Sequence, residues 1–267
     1  MTAFLPARVV RLGAALVLVA VVAAFAATGR AATGANYVAL GDSYSSGVGT
    51  GSYTLDSACK RSVYAYPYLW WRAHPGSSLT FVACSGATTS DLITKQLSSV
   101  TTSTTLVTMT IGGNDIGFAN LIYQCTLSNC SAALDTTTAN LESTLGSALD
   151  TVYKDVKADA APGATIIVLG YPQLFSGKGC LGTLGISATE ESKANALADK
   201  LDTVIANHAK DDGVTYKSAI GAFGGHAVCS SSPWVNGLEL FNTGESYHPS
   251  RTGHSSGYLP LVTAVTG

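Results

Sequence analysis

The order of apolar runs and helical patterns predicts an α/β fold, a three-layer α/β/α sandwich around a mainly parallel sheet. Short, near-continuous apolar stretches recur at Tyr37–Leu40, Leu79–Ala83, Leu106–Ile111 and Thr165–Leu169, with a weaker one at Val214–Lys217. Strands covered on both faces have this composition. Helical periodicity fills the gaps. Leu141, Leu145, Leu149, Val152 and Val156 share one face, as do Ala194, Leu197, Leu201, Val204 and Ile205 behind the capping box of Ser187 and Glu190.

The chain begins with a segment that is not read as fold. Arg8 and Arg11 precede an apolar run from Leu12 to Ala27, and small residues follow it. That is the pattern of a secretory signal peptide over residues 1–32, and the run is short for a membrane span. Its removal leaves roughly 235 residues, 33–267, enough for one well-buried domain without an internal linker or repeat. It also removes Arg8, Arg11 and Arg30 and no acid, making the remainder more acidic than the formal charge of −2. Nothing is basic enough for a nucleic-acid partner.

Six cysteines follow the export signal: Cys59, Cys84, Cys125, Cys130, Cys180 and Cys229. An even number in an oxidising compartment reads as a disulfide framework, whose pairing the sequence leaves open. Taking neighbours in order gives Cys59 with Cys84, Cys125 with Cys130 and Cys180 with Cys229. Zinc is the competing reading, but there is no CxxC and no histidine at ligand spacing.

In an open parallel sheet, ligands bind beyond the carboxyl ends of the strands. The first strand leads into Gly41-Asp42-Ser43-Tyr44-Ser45, the second into Ser85-Gly86-Ala87-Thr88, and the third into Gly112-Gly113-Asn114-Asp115. These three loops therefore converge on one edge. The first offers a hydroxyl on a tight turn; the other two offer donors to a developing oxyanion. Near the other end of the chain, Glu245-Ser246-Tyr247-His248-Pro249 supplies a histidine with a carboxylate three residues before it. A serine hydroxyl needs a base to become a nucleophile, and histidine serves near neutral pH. Together these segments predict a serine hydrolase, with loops Gly49–Arg61 and Cys125–Cys130 near the active edge.

Competing motifs fail on context. Gly47-Val48-Gly49-Thr50-Gly51 lacks the GxGxxG spacing of a dinucleotide loop. Gly253-His254-Ser255-Ser256-Gly257 fits the nucleophile-elbow pattern, yet no strand precedes it and no Asp, Glu or His follows. It reads instead as the start of the last helix, with His254 structural. His74 and His208 read as surface or packing residues. His226, in a Gly-rich loop near Cys229, is the one serious competitor for the base. Asp115 reads as a brace for its own loop.

The four loaded segments, in this order, resemble the SGNH (GDSL) hydrolase superfamily. The agreement runs from Tyr37 to Pro260, and the cysteines and the Ser256-Gly257-Tyr258-Leu259-Pro260 ending are similar to its secreted actinobacterial lipases and esterases. The resemblance implies a flavodoxin-like fold and carboxylic-ester hydrolysis with no metal or cofactor. It implies Ser43 as nucleophile and, through its N–H, as oxyanion donor beside Gly86 and Asn114, with His248 as base. The family's usual third member is Asp three residues before the histidine; Glu245 stands there, and a backbone carbonyl such as that of Ser246 is the alternative. The implied partners are small-molecule or lipid esters, with transient contact at lipid interfaces; a single unadorned secreted domain points to a monomer. A phospholipase, a carbohydrate deacetylase and an inactive binding protein of the same fold are the alternative functions.

Overall fold

The computed structural model describes Met1, Thr2 and residues 34–267; the leader expected at residues 1–32 lies largely outside them. All the elements below belong to the compact unit Thr33–Gly267. In chain order they are β1 (Asn36–Ala39), α1 (Ser43–Ser46), α2 (Tyr66–Ala73), β2 (Ser78–Phe81), α3 (Thr89–Asp91), β3 (Leu106–Met109), α4 (Phe118–Cys125) and α5 (Ser131–Asp159). Then come β4 (Thr165–Leu169), α6 (Ala188–Asp211), β5 (Thr215–Lys217), α7 (Ala219–Ala222) and α8 (Leu259–Thr266). All five expected strands are present, each within two residues of its sequence boundary.

The sheet runs β2-β1-β3-β4-β5 with every pair parallel. Val107 and Met109 of β3, and Ile167, Val168 and Leu169 of β4, are fully enclosed, which explains why these runs do not alternate. Helices α5 and α6 pack on each other, as do α2 and α8. The connection from β1 to β2 runs one way along the sheet and that from β3 onward the other, so right-handed crossovers put these pairs on opposite faces. The strand order reverses between β1 and β3, and a crevice opens there at the carboxyl ends.

Leu141, Leu145, Leu149, Val152 and Val156 form the buried stripe of α5. The capping box of α6 forms through Ser187 Oγ and the Glu190 side chain. Glu190 also accepts from the Cys130 N–H at 2.7 Å, so one carboxylate starts two helices. The disulfides join Cys59 to Cys84, Cys125 to Cys130 and Cys180 to Cys229, neighbours in order. With all six sulfurs so bonded, no thiolate remains for zinc. Among the described residues, no helix is long and apolar enough to cross a membrane.

Candidate active site

Ser43 is the first residue of a one-turn helix, and the turn before it is tightly held. Gly41 has φ +116°, and a Cβ there would lie 2.4 Å from the Thr110 carbonyl oxygen, so only glycine fits. The Gln96 side chain accepts from the Gly41 N–H at 2.8 Å and donates to its carbonyl at 2.9 Å. Asp42 caps α1 by accepting from the Tyr44 N–H at 3.0 Å. Gly47, at φ +104°, closes the turn and donates to the Ser43 carbonyl. The serine hydroxyl is thereby fixed at the mouth of the β1–β3 crevice.

The histidine arrives from the far end of the chain. His248 Nε2 lies 2.8 Å from Ser43 Oγ, and Nδ1 lies 2.8 Å from the Ser246 carbonyl oxygen. A carbonyl can only accept, so Nδ1 carries the proton and Nε2 turns its lone pair to the serine. The ring is buried, and burial pushes its pKa down to about 4; the Ser246 contact opposes the shift and the nearby Lys60 charge adds to it. The imidazole is therefore neutral and able to take a proton at neutral pH.

A left-handed residue makes this geometry. Tyr247 has φ +61°, which turns the chain sharply between Ser246 and His248. The strain is held from outside, because Tyr44 donates its hydroxyl to the Tyr247 carbonyl at 2.6 Å. The Asn236 N–H donates to the His248 carbonyl at 2.9 Å, and the Tyr247 N–H to the Asn236 carbonyl at 3.1 Å.

Glu245 does not occupy the position its spacing suggests. It ends a short 3₁₀ turn, Thr243–Glu245, and its carboxylate accepts from Asn242 Nδ2 at 2.6 Å. Among the described residues, no hydrogen bond or ion pair joins it to His248. The turn at Tyr247 swings the histidine towards the Ser246 carbonyl and leaves the carboxylate aside. The expectation that favoured Glu245 as the histidine's partner is corrected on this geometry.

The donors converge opposite. Ser43, Gly86, Asn114 and His248 line one cleft. Gly86 has φ +83° and free space where a Cβ would lie, so it is the backbone conformation that asks for glycine. Asn114 Nδ2 donates one hydrogen to the Ala87 carbonyl at 2.9 Å and keeps the other. Among the described residues, neither the Ser43 nor the Gly86 N–H meets an acceptor. Asp115 does more than brace its own loop: it accepts from the Thr89 N–H and hydroxyl, tying the third loop to the second.

Sequence reasoning missed the polar ladder beneath the serine. Asp42 accepts from the Tyr171 hydroxyl and from Thr110 Oγ1 at 2.7 Å, and Ser45 Oγ bridges Thr110 to Tyr66. Burial raises the Asp42 pKa to about 6, against these hydrogen bonds, which lower it. The signal was an acid in the first loop; its partners sit far away in sequence. The other histidines lie elsewhere. His254 is fully enclosed and accepts from the Tyr66 N–H, His226 stacks on Trp234, His208 pairs with Asp150 and Glu142, and His74 stacks on Trp70. Ser255 is exposed and has no histidine partner.

Two hollows meet at Ser43. One is mostly apolar, walled by Phe118, Ile122, Tyr171, Leu174 and Tyr247. The other is more mixed, with Ser85, Thr88, Asn120 and Thr243 as well as Ala119 and Tyr123 on its walls. A nucleophile, a neutral base and convergent donors between an apolar and a mixed hollow can perform acyl transfer.

The profile of the GDSL-like lipase/acylhydrolase family matches residues 39–255. The chain is 44% identical to Lipase 1 of Streptomyces coelicolor, over 98% of this chain and 97% of the relative. The crystal structure of an extracellular lipase from Streptomyces rimosus superposes with a TM-score of 0.81 at 42% identity, covering 86% of this chain and 99% of the other. That of phospholipase A1 from Streptomyces albidoflavus superposes with a TM-score of 0.82 at 44% identity, with the same coverage of 86% and 99%.

Proposed function

The chain belongs to the GDSL-like lipase/acylhydrolase family and is a carboxylic ester hydrolase of lipase/esterase type, and on that premise we propose that Ser43 and His248 form its catalytic dyad. The observation that carries this reading is the unbroken line from the Ser246 carbonyl through His248 to Ser43 Oγ, at 2.8 Å on each side. Ser43 attacks the ester carbonyl while His248 Nε2 takes its proton. The tetrahedral oxyanion accepts from the Ser43 and Gly86 N–H groups and from Asn114 Nδ2, and collapse expels the alcohol with the proton His248 holds. Water then hydrolyses the acyl-enzyme by the same shuttle. The Ser246 carbonyl fixes the tautomer and orients the imidazolium; Glu245 holds the loop.

The apolar hollow suits the acyl chain and the mixed one the leaving alcohol. With p-nitrophenyl esters of rising chain length, kcat/KM is expected to climb about fourfold per methylene until the hollow is full, since each buried CH₂ contributes about 0.8 kcal/mol. A flat series, or preference for acetylated sugars over acyl esters, would replace this reading with a deacetylase. A phospholipid in the same panel tests the phospholipase reading, which the similarity to a phospholipase A1 supports. Disulfides and the likeness to an extracellular lipase support action outside the cell.

The depressed histidine sets the pH dependence. His248 works as a base only when neutral, and its pKa lies near 4 in place of 6.5. The acid limb of kcat/KM should therefore fall as the pH drops through about 4 and be flat between 5 and 8. A limb near 6 would assign the essential titration to Asp42 or to a solvated imidazole, and would overturn this account.

A further inference from the structure

Apart from Leu55, the large exposed apolar side chains described on this domain fall on three neighbouring segments around one opening. Phe241 is fully exposed, Leu181 is 85% exposed, Leu127 70% and Leu240 68%, with Leu184 and Tyr123 more than one-third exposed. They sit on segments that contact one another in an arc beside Ser43. Tyr123 lines the cleft of Ser43 and His248, and Leu127 follows at the end of the same helix. Gly185 packs so closely on Thr126 that a Cβ would lie 2.2 Å from its carbonyl oxygen, which puts Leu184 beside that helix end. Gly182 accepts at its carbonyl from the Leu238 N–H and from the Tyr247 hydroxyl, joining the Leu181 turn to the Leu240–Phe241 loop and to the histidine loop.

The three segments themselves carry little charge, although Lys60 Nζ lies against Gly244. Residues 118–130, 180–187 and 237–244 together carry one charged side chain, Glu239. Two of the three segments are cross-linked, by Cys125–Cys130 and by Cys180–Cys229. The leucines beside these sulfurs stand out on constrained loops where a longer, free loop could fold them inward. Large apolar side chains exposed side by side in this way mark a contact.

We infer that this arc is a lipid-surface contact, which lays the mouth of the active site against aggregated ester substrate. The inference rests on the ester-hydrolase reading of the site. What chooses a lipid over a protein is position. A second copy or another protein seated on the arc would cap the opening to Ser43, whereas a lipid surface delivers through that opening the molecules the site consumes. Insertion of uncharged leucines and a phenylalanine needs no charged headgroup, so a zwitterionic surface suffices.

The test compares Leu127→Ser, Leu181→Ser and the double change Leu240→Ser/Phe241→Ser, alone and combined, with the parent, all carrying the same N-terminus. Binding is measured on a Ser43→Ala background by co-sedimentation with phosphatidylcholine vesicles, where no hydrolysis interferes. The combined variant should bind at least about tenfold more weakly, because each lost side chain forfeits its transfer from water. With Ser43 restored, hydrolysis of dissolved p-nitrophenyl acetate should be unchanged, and hydrolysis of emulsified ester should fall with the binding. Equal vesicle binding by parent and combined variant would overturn the proposal. So would a parent that is dimeric by size-exclusion chromatography and becomes monomeric in the variants, since the arc would then serve a second copy. If the parent binds vesicles but cleaves no ester, the hydrolase reading fails while the surface stands.

Discussion

Ser43→Ala is expected to lower kcat for any ester by about five to six powers of ten, the loss that follows removal of a serine nucleophile acting in a unit with its base. The same protein should no longer be labelled by a fluorophosphonate. Its thermal unfolding should match the parent's, because the turn is held by Gly41, Asp42 and Gln96 and not by the hydroxyl. The labelling experiment separates the candidates. Ser255 also carries a histidine neighbour in sequence, but its hydroxyl reaches only Thr252 and Ser256. Label retained in the variant and mapped to Ser255 would end the assignment of Ser43.

The second large effect is a contrast between two residues three apart. His248→Ala should cost about as much as the loss of Ser43, because the serine then keeps its proton. Glu245→Gln should cost about tenfold or less. A triad acid holds the histidine and stabilises the imidazolium, and its loss costs about four powers of ten. Glu245 has no such contact: its carboxylate meets Asn242 Nδ2, while the Ser246 carbonyl meets the ring. A Glu245→Gln enzyme slowed a thousandfold would restore the carboxylate to the triad and demote the carbonyl.

That contrast also marks where the sequence stops being informative. The central strands β1, β3 and β4 are legible because burial on both faces leaves them largely apolar, the partly exposed edge strands β2 and β5 less sharply so, and the long helices because α5 and α6 each bury a single stripe. The capping box at Ser187 is local chemistry and reads directly. The convergence of the Ser43, Gly86 and Asn114 loops follows from parallel order alone, since consecutive strands deliver their carboxyl ends to one edge. The orientation of His248 depends instead on one backbone torsion, that of Tyr247, held by a hydroxyl roughly 200 residues away. No spacing rule encodes it, because tyrosine has no intrinsic preference for positive φ. Gln96, Tyr171 and Thr110 were invisible for a similar reason. Each is an ordinary residue whose role exists only once distant segments meet.

The separation of 205 residues between the serine and its base has a consequence for timing. A chain emerging from its N-terminus presents the serine turn first, and the imidazole with the loop that aims it follows 205 residues later. Every disulfide closes within a shorter span and leaves this pairing untouched. In the proposed dyad Ser43 therefore gains its base only after the Glu245–Pro249 loop has been made and has folded back against the turn that follows β1.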